Sequence, residues 1–168
     1  MRMDLQQVIA EVHPLVVQIV RGRTLRPEDV DDLSQDVMVR IIERLPTWRG
    51  DAPITHWAAR IAVNFCIDHG RRVRRQPRAP SAPEVADPAS NPDDAVAARD
   101  LVERLLAGLS TKDRLVVHLL DLEGWTVPEV ALRTGWSRLA IRLRVHRARK
   151  RLRQSALTLS GDPDHARS

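Results

Sequence analysis

Cysteine occurs once in this sequence, at Cys66; phenylalanine also occurs once, and tyrosine is absent. A single thiol excludes an internal disulfide, so nothing ties the fold to an oxidising compartment. With aromatics at 3% of 168 residues, any core must be filled by Val, Leu, Ile and Ala, which suits helices packed on helices. No run approaches the ~18 apolar residues that span a bilayer. The opening MRMDLQQVIAEV lacks the apolar stretch and small-residue cleavage site of a secretory signal. The expectation is a cytoplasmic protein with no membrane insertion. The histidines are scattered, none sharing a metal-ligand spacing with a second His or with Cys66. Neither a Gly-rich phosphate loop nor a nucleophile motif is found, so the reading is of a protein that is not an enzyme and takes no cofactor or metal.

What is present is charge, unevenly placed. The formal net charge is +5. Acidic residues gather at Glu28, Asp29, Asp31, Asp32 and Asp36, and basic residues at Arg71 to Arg75 and from Arg138 to Arg153. A basic excess favours a polyanionic partner, and separated acidic and basic faces imply more than one kind of partner.

Residues 73–98 break the pattern. Pro77, Pro80, Pro83, Pro88 and Pro92 punctuate Ala, Ser, Asp and Asn, a composition that cannot bury a core and reads as a flexible linker. Helical periodicity holds on both sides, and no period-2 strand stands out. The expected architecture is all-α: two small helical domains, at 1–75 and 96–156, joined by a linker at 76–95 and followed by a tail at 157–168.

The first half predicts three helices. Leu5, Val8, Ile9, Val12, Val16, Ile19 and Val20 form one stripe, with a kink expected at Pro14. A second helix opens at Pro27 and turns Val30, Leu33, Val37, Ile41, Ile42 and Leu45 inward. A third, over about 53–72, turns in Ile54, Trp57, Ala58, Ile61, Ala62 and Phe65. The second half predicts four. One runs from about Asp94 to Leu109, with Leu101, Val102, Leu105 and Leu106 inward. The next opens at Ser110 with Asp113 and stops at Gly124. Thr126 and Glu129 box a short helix, Gly135 turns the chain, and Ser137 caps a last helix facing inward with Ile141, Val145, Ala148 and Leu152.

A short helix, a Gly turn and a basic helix form a helix-turn-helix, the arrangement that lays its second helix in the major groove. With the apolar stripe inward, Arg138, Arg142, Arg144, His146, Arg147, Arg149 and Arg151 are expected on open faces. Arginine reads guanine O6 and N7 with two hydrogen bonds, and the remaining cations hold phosphates. Trp57, Trp125 and Trp136 are read as packing residues and Cys66 as a small core residue. Trp48, at a loop entrance, is open between packing and base stacking.

These segments carry a resemblance. GWSRLAIRLRVHRARKRL, preceded by LSTKDRLVVHLLDLEGWTVPEVA, resembles the region 4 helix-turn-helix of bacterial sigma factors. VDDLSQDVMVRIIERLPTWRGDAPITHWAARIAVNFCIDHGRR resembles sigma region 2. With no segment resembling regions 1.1 or 3, the chain is similar to the small, extracytoplasmic-function (ECF) type. The resemblance implies binding to RNA polymerase core and direction of promoter-specific initiation, region 2 taking the minus-10 element and region 4 the minus-35 element. It places core docking on Asp32, Gln35 and Asp36. It places minus-10 capture on Trp48, Arg49, Gly50, Asp51 and Ala52, which form the loop that takes a flipped base, with Arg60, Asn64, Arg71 and Arg72. It places minus-35 readout on Arg138, Arg142, Leu143, His146, Arg147 and Arg149. Leu143 stands where many members carry a small polar residue, and there an apolar contact to a thymine methyl is expected. An anti-sigma factor is a further implied partner. Two alternatives are a stand-alone helix-turn-helix regulator and a sigma mimic that titrates an anti-sigma factor.

Overall fold

The computed structural model describes residues 4–23, 27–75, 101–102, 104–106 and 108–159. Among them the regular structure is helical, with no strand. Helix α1 is Leu5–Arg21, α2 is Pro27–Arg44 and α3 is Ile54–Arg75. A short 3₁₀ turn, Leu45–Thr47, follows α2. The second half holds α4 (Thr111–Val117), continued by a π turn at His118–Leu122, then α5 (Val127–Thr134) and α6 (Arg138–Leu159). The expected linker and the start of the helix predicted from Asp94 lie outside the described residues.

Local chemistry sets most boundaries. Asp4 N–H donates to Gln7 at the start of α1, and the helix continues as one element through Pro14. Ser110 Oγ accepts from the Asp113 N–H, 3.1 Å, and opens α4. Thr126 and Glu129 satisfy each other's backbone donors around the first turn of α5. Gly135 ends α5 at φ 77°, a left-handed conformation that costs any residue with a Cβ. Ser137 Oγ then accepts from Ala140 N–H and starts α6.

The core joins both halves. Val12, Val16, Ile19 and Val20 of α1, Val37 and Ile41 of α2, and Ala58 and Ala62 of α3 are fully buried, in one cluster with Leu115, Leu119, Val130, Ile141 and Ala148. The two expected domains therefore pack directly on each other. Helix α3 shows the consequence. Beside the predicted stripe it buries a second one, Ala59, Val63, Cys66 and Ile67, which ends at the buried Gly70. A methyl group added at Gly70 would lie 2.5 Å from Thr111 Oγ1, so α3 and α4 meet with no room for a side chain. Gly22 likewise lies against Leu115 and His118.

Several positions expected inside are not. Leu5, Ile42, Leu101 and Val102 are each about 40% exposed. The apolar stripe of α2 buries Met38 and leaves Ile42 at its edge beside the open Val39. No helix among the described residues is long and apolar enough to cross a membrane.

Candidate nucleic-acid interface

Three surfaces carry the residues singled out by the sequence. The first is the outer face of α2. Asp32, Gln35 and Asp36 are exposed there, and Val39, 55% exposed, continues the same stripe one turn on. The acidic positions thus border an open apolar residue, a combination suited to a protein partner with basic and apolar groups.

The second surface is formed by α2, α3 and the loop between them. The Trp48 indole N–H donates to the Ala52 carbonyl, 3.0 Å, closing the loop on itself, and the Trp48 ring packs half-buried against the core. This bond gives Trp48 a part in bracing the loop. Gly50 sits at φ 79° with open space around it, so glycine is required there for backbone conformation and not for a close contact within the chain. Arg49, Gly50 and Asp51 are exposed and Ala52 is half-buried. Helices α2 and α3 enclose a groove of about 640 Å³. Ile61 and Phe65 line its apolar part, and Arg40, Arg44, Asn64, Arg71 and Arg72 surround it. Asp68 also borders it and lies 3.7 Å from Arg71 in an exposed ion pair.

The groove brings together Asn64, Arg71 and Arg72, and adds Arg40 and Arg44, which the sequence reading missed. Their i, i+4 spacing on the open side of α2 was the available signal. Arg60 does not join them: it is exposed on α3 next to Gly135, the turn of the helix-turn-helix. Four guanidinium groups with an amide and an aromatic ring suit a single nucleic-acid strand, the cations following phosphates and the ring and amide meeting bases.

The third surface is α6. Its stripe Ile141, Val145 and Ala148 is buried, and Arg138, Arg142, Leu143, His146 and Arg147 are exposed on the opposite side, with Leu139 66% exposed among them. Two arginines are engaged inside the protein. Arg144 Nη1 donates to Asp113 Oδ1 at 3.1 Å and lies over the Trp136 ring, so it braces α6 on α4 where an open side had been expected. Arg149 pairs with Asp121 through both nitrogens of its fork, Nε to Oδ2 at 3.2 Å. That hydrogen bonding holds its guanidinium even more firmly protonated than usual. Arg149 therefore reaches DNA only by leaving Asp121 or sharing it. Trp125 is buried under Arg133, whose guanidinium carbon lies 4.2 Å from the ring centroid, in keeping with a packing role.

A helix-turn-helix with an open basic face, coupled in one all-α body to an arginine-rimmed groove, has the charge and shape of a nucleic-acid-binding protein. The comparisons agree. Residues 8–76 match the family model for Sigma-70 region 2, and residues 99–152 match that for Sigma-70, region 4. The ECF RNA polymerase sigma factor SigM of Mycobacterium tuberculosis is 31% identical over 153 residues, covering 90% of this chain and 76% of that protein. The ECF factor SigF of Caulobacter vibrioides is 32% identical over 126 residues, covering 75% and 70%. Among solved structures, CnrH in complex with the cytosolic domain of CnrY superposes with a TM-score of 0.61 at 27% identity, covering 94% of this chain and 88% of that one. The chain belongs to the ECF sigma factors of the sigma-70 family, which direct promoter-specific transcription initiation by RNA polymerase.

Proposed function

We propose that the work of promoter recognition is divided as the three surfaces suggest. The α2 face with Asp32, Gln35 and Asp36 docks on RNA polymerase core. The loop Trp48–Ala52 shapes the seat for a flipped minus-10 base, with Trp48 holding the loop and Arg49, Gly50 and Asp51 presenting it. Asn64 offers both donor and acceptor to a base edge, and Arg71 and Arg72, joined by Arg40 and Arg44, hold the strand's phosphates. Arg60 serves the same element once the turn at Gly135 is displaced from it. In the second half, Arg138, Arg142, Leu143, His146 and Arg147 read the minus-35 duplex, and Arg149 flanks them. The protein acts in the cytoplasm, without enzymatic activity of its own and with no cofactor, and an anti-sigma factor is proposed as a partner that keeps it inactive. CnrH, solved with the cytosolic domain of CnrY, supports that last reading.

The observation that carries the division of labour is the arginine-rim groove between α2 and α3. A stand-alone helix-turn-helix regulator has no use for it, and neither has a mimic that titrates an anti-sigma factor. The test is run-off transcription with purified core on genomic fragments that include the gene's own upstream region. Discrete transcripts that require the protein, and that drop by about tenfold or more with Asn64→Ala or Arg142→Ala, support the assignment. Failure to bind core, with no transcript, overturns it.

A further inference from the structure

The outer crest of the recognition helix is apolar where the helix begins. Helix α6 buries Ile141, Val145 and Ala148. At about 3.6 residues per turn, the line opposite that stripe runs through Leu139 and Leu143. Leu139 is 66% exposed and Leu143 51%. Further along the helix the same line is taken by His146 and Lys150, both exposed. Arg142 flanks the leucine pair on one side and Arg147 on the other, and both are exposed.

The charge around the pair says what meets it. Helix α6 carries no acidic residue in its 22 positions. The cations around the leucines therefore suit a polyanion and repel a basic protein surface. Two arginines beside the buried stripe are engaged inside the protein, Arg144 with Asp113 and Arg149 with Asp121. Arg147 Nε donates to the Leu143 carbonyl at 3.3 Å, which holds that guanidinium along the helix. The first turns of a recognition helix meet base edges in the major groove. The apolar group that base pairs present there is the C5-methyl of thymine.

We propose that Leu139 and Leu143 together read thymine C5-methyl groups in the minus-35 element, so that this factor selects A·T pairs there by apolar contact. The proposal rests on the assignment of α6 to the minus-35 duplex given above, and it adds Leu139 as a specificity-determining residue. The two side chains stand one turn apart, about 6 Å along the helix axis. That is roughly the rise of two base-pair steps at ~3.4 Å each. The element therefore carries thymines, on either strand, about two steps apart. Neither leucine can make a hydrogen bond, so a G·C pair beneath them loses water from its polar edge and gains no partner, which penalises the wrong base.

Deoxyuridine in place of thymidine removes that methyl and nothing else, and supplies the test. Holoenzyme assembled from core and the full chain is titrated on a promoter fragment that gives a discrete run-off transcript. A second template carries deoxyuridine for every thymidine of the minus-35 element, on both strands. Burying one methyl is worth about fourfold in affinity, so losing two should raise the holoenzyme needed for half-maximal transcript by about tenfold. The double variant Leu139→Ala, Leu143→Ala should need about tenfold more holoenzyme on the thymidine template and lose the difference between templates. The double variant Leu139→Met, Leu143→Met keeps an apolar contact and should retain that difference. Both positions are exposed, so the circular dichroism of each variant should match wild type.

Equal transcription by wild type on the two templates overturns the proposal, and impaired alanine variants would then assign the leucines to a protein partner. A template difference that persists in the alanine double variant also overturns it, since the methyls are then read elsewhere. A minus-35 element without A·T pairs overturns it at once. If wild type gives no transcript from any fragment, the sigma reading fails, and the leucines are judged by the full chain alone. Duplexes that it selects from a random pool at low salt are then compared by gel shift in thymidine and deoxyuridine forms. Weaker binding of the deoxyuridine forms supports methyl readout; equal binding, or no selection, overturns it.

Discussion

Removing the Asp113 carboxylate should loosen the recognition helix, by an amount set by how exposed the pair is. Asp113 is 8% exposed, and its Oδ1 lies 3.1 Å from Arg144 Nη1, tying α4 to α6. The Arg144 side chain keeps 27% of its surface open. Stripping the partner from a fully buried charge costs about 3–5 kcal/mol, while an exposed pair contributes roughly 0–1 kcal/mol. Arg144 can turn partly to water and lies 5.7 Å from the Trp136 ring centroid, so the intermediate case applies, about 2 kcal/mol. Losing the acid from the first turn of α4 adds about 0.3–1 kcal/mol. Asp113→Ala is therefore expected to destabilise by about 2–3 kcal/mol. Urea unfolding followed by circular dichroism measures it, as a lower midpoint at unchanged slope. Arg144→Ala and the double variant complete the cycle, with an expected coupling of about 1–2 kcal/mol. Coupling within the ~0.5 kcal/mol of additive pairs would refute the argument that this bond braces α6.

Three further outcomes are expected. Gly135→Ala should cost about 1–2 kcal/mol by backbone strain at φ 77°, with Gly135→Asn milder because Asn tolerates the left-handed region; equal stability of all three in urea would remove the reasoning. Cys66 is buried and its thiol is pushed up to about 12, so an aromatic disulfide reagent should react only as the protein unfolds, and fast labelling of native protein would contradict this. Burial holds His118 below the usual histidine value despite the opposing pull of Glu123, and His69 is lowered too, by burial and then by Arg23 and Arg72. The unfolded chain thus binds protons at a pH where the native rings stay neutral. Stability should be flat above about pH 7 and fall as pH drops through ~6.5. His118→Gln should flatten that slope in urea midpoints between about pH 7.5 and 5.5, and a midpoint that rises on acidification would reverse the sign.

Helix ends and local turns were legible because their causes lie within four residues. The Ser110 cap, the Thr126–Glu129 box and the Ser137 cap are bonds to a neighbour three positions on. Gly135 marks its own left-handed turn. The inward stripe of α6 followed from period alone, and with it the open basic face that carries the family resemblance. Stripe width was less legible: Ile42, read as inward, stands 37% exposed at the edge of the stripe, because periodicity gives a direction on a helix and not how far a neighbour wraps around it.

What the sequence by itself determined is the set of helices, their caps and the two motif-bearing regions, all written in short-range spacing and chain chemistry. Tertiary structure alone decided which charges are spent inside and which remain for a partner. Arg144 finds Asp113 from 31 residues away and Arg149 finds Asp121 from 28, so their exposure is a property of packing. Arg40 and Arg44 become part of a groove only when α2 lies beside α3. The joint itself, with His118 on the Gln18 carbonyl across 100 residues and Thr111 against Gly70, depends on two surfaces fitting at backbone distance. Periodicity within one segment carries no information about that fit, because the free energy of contact belongs to the pair of faces and not to either helix.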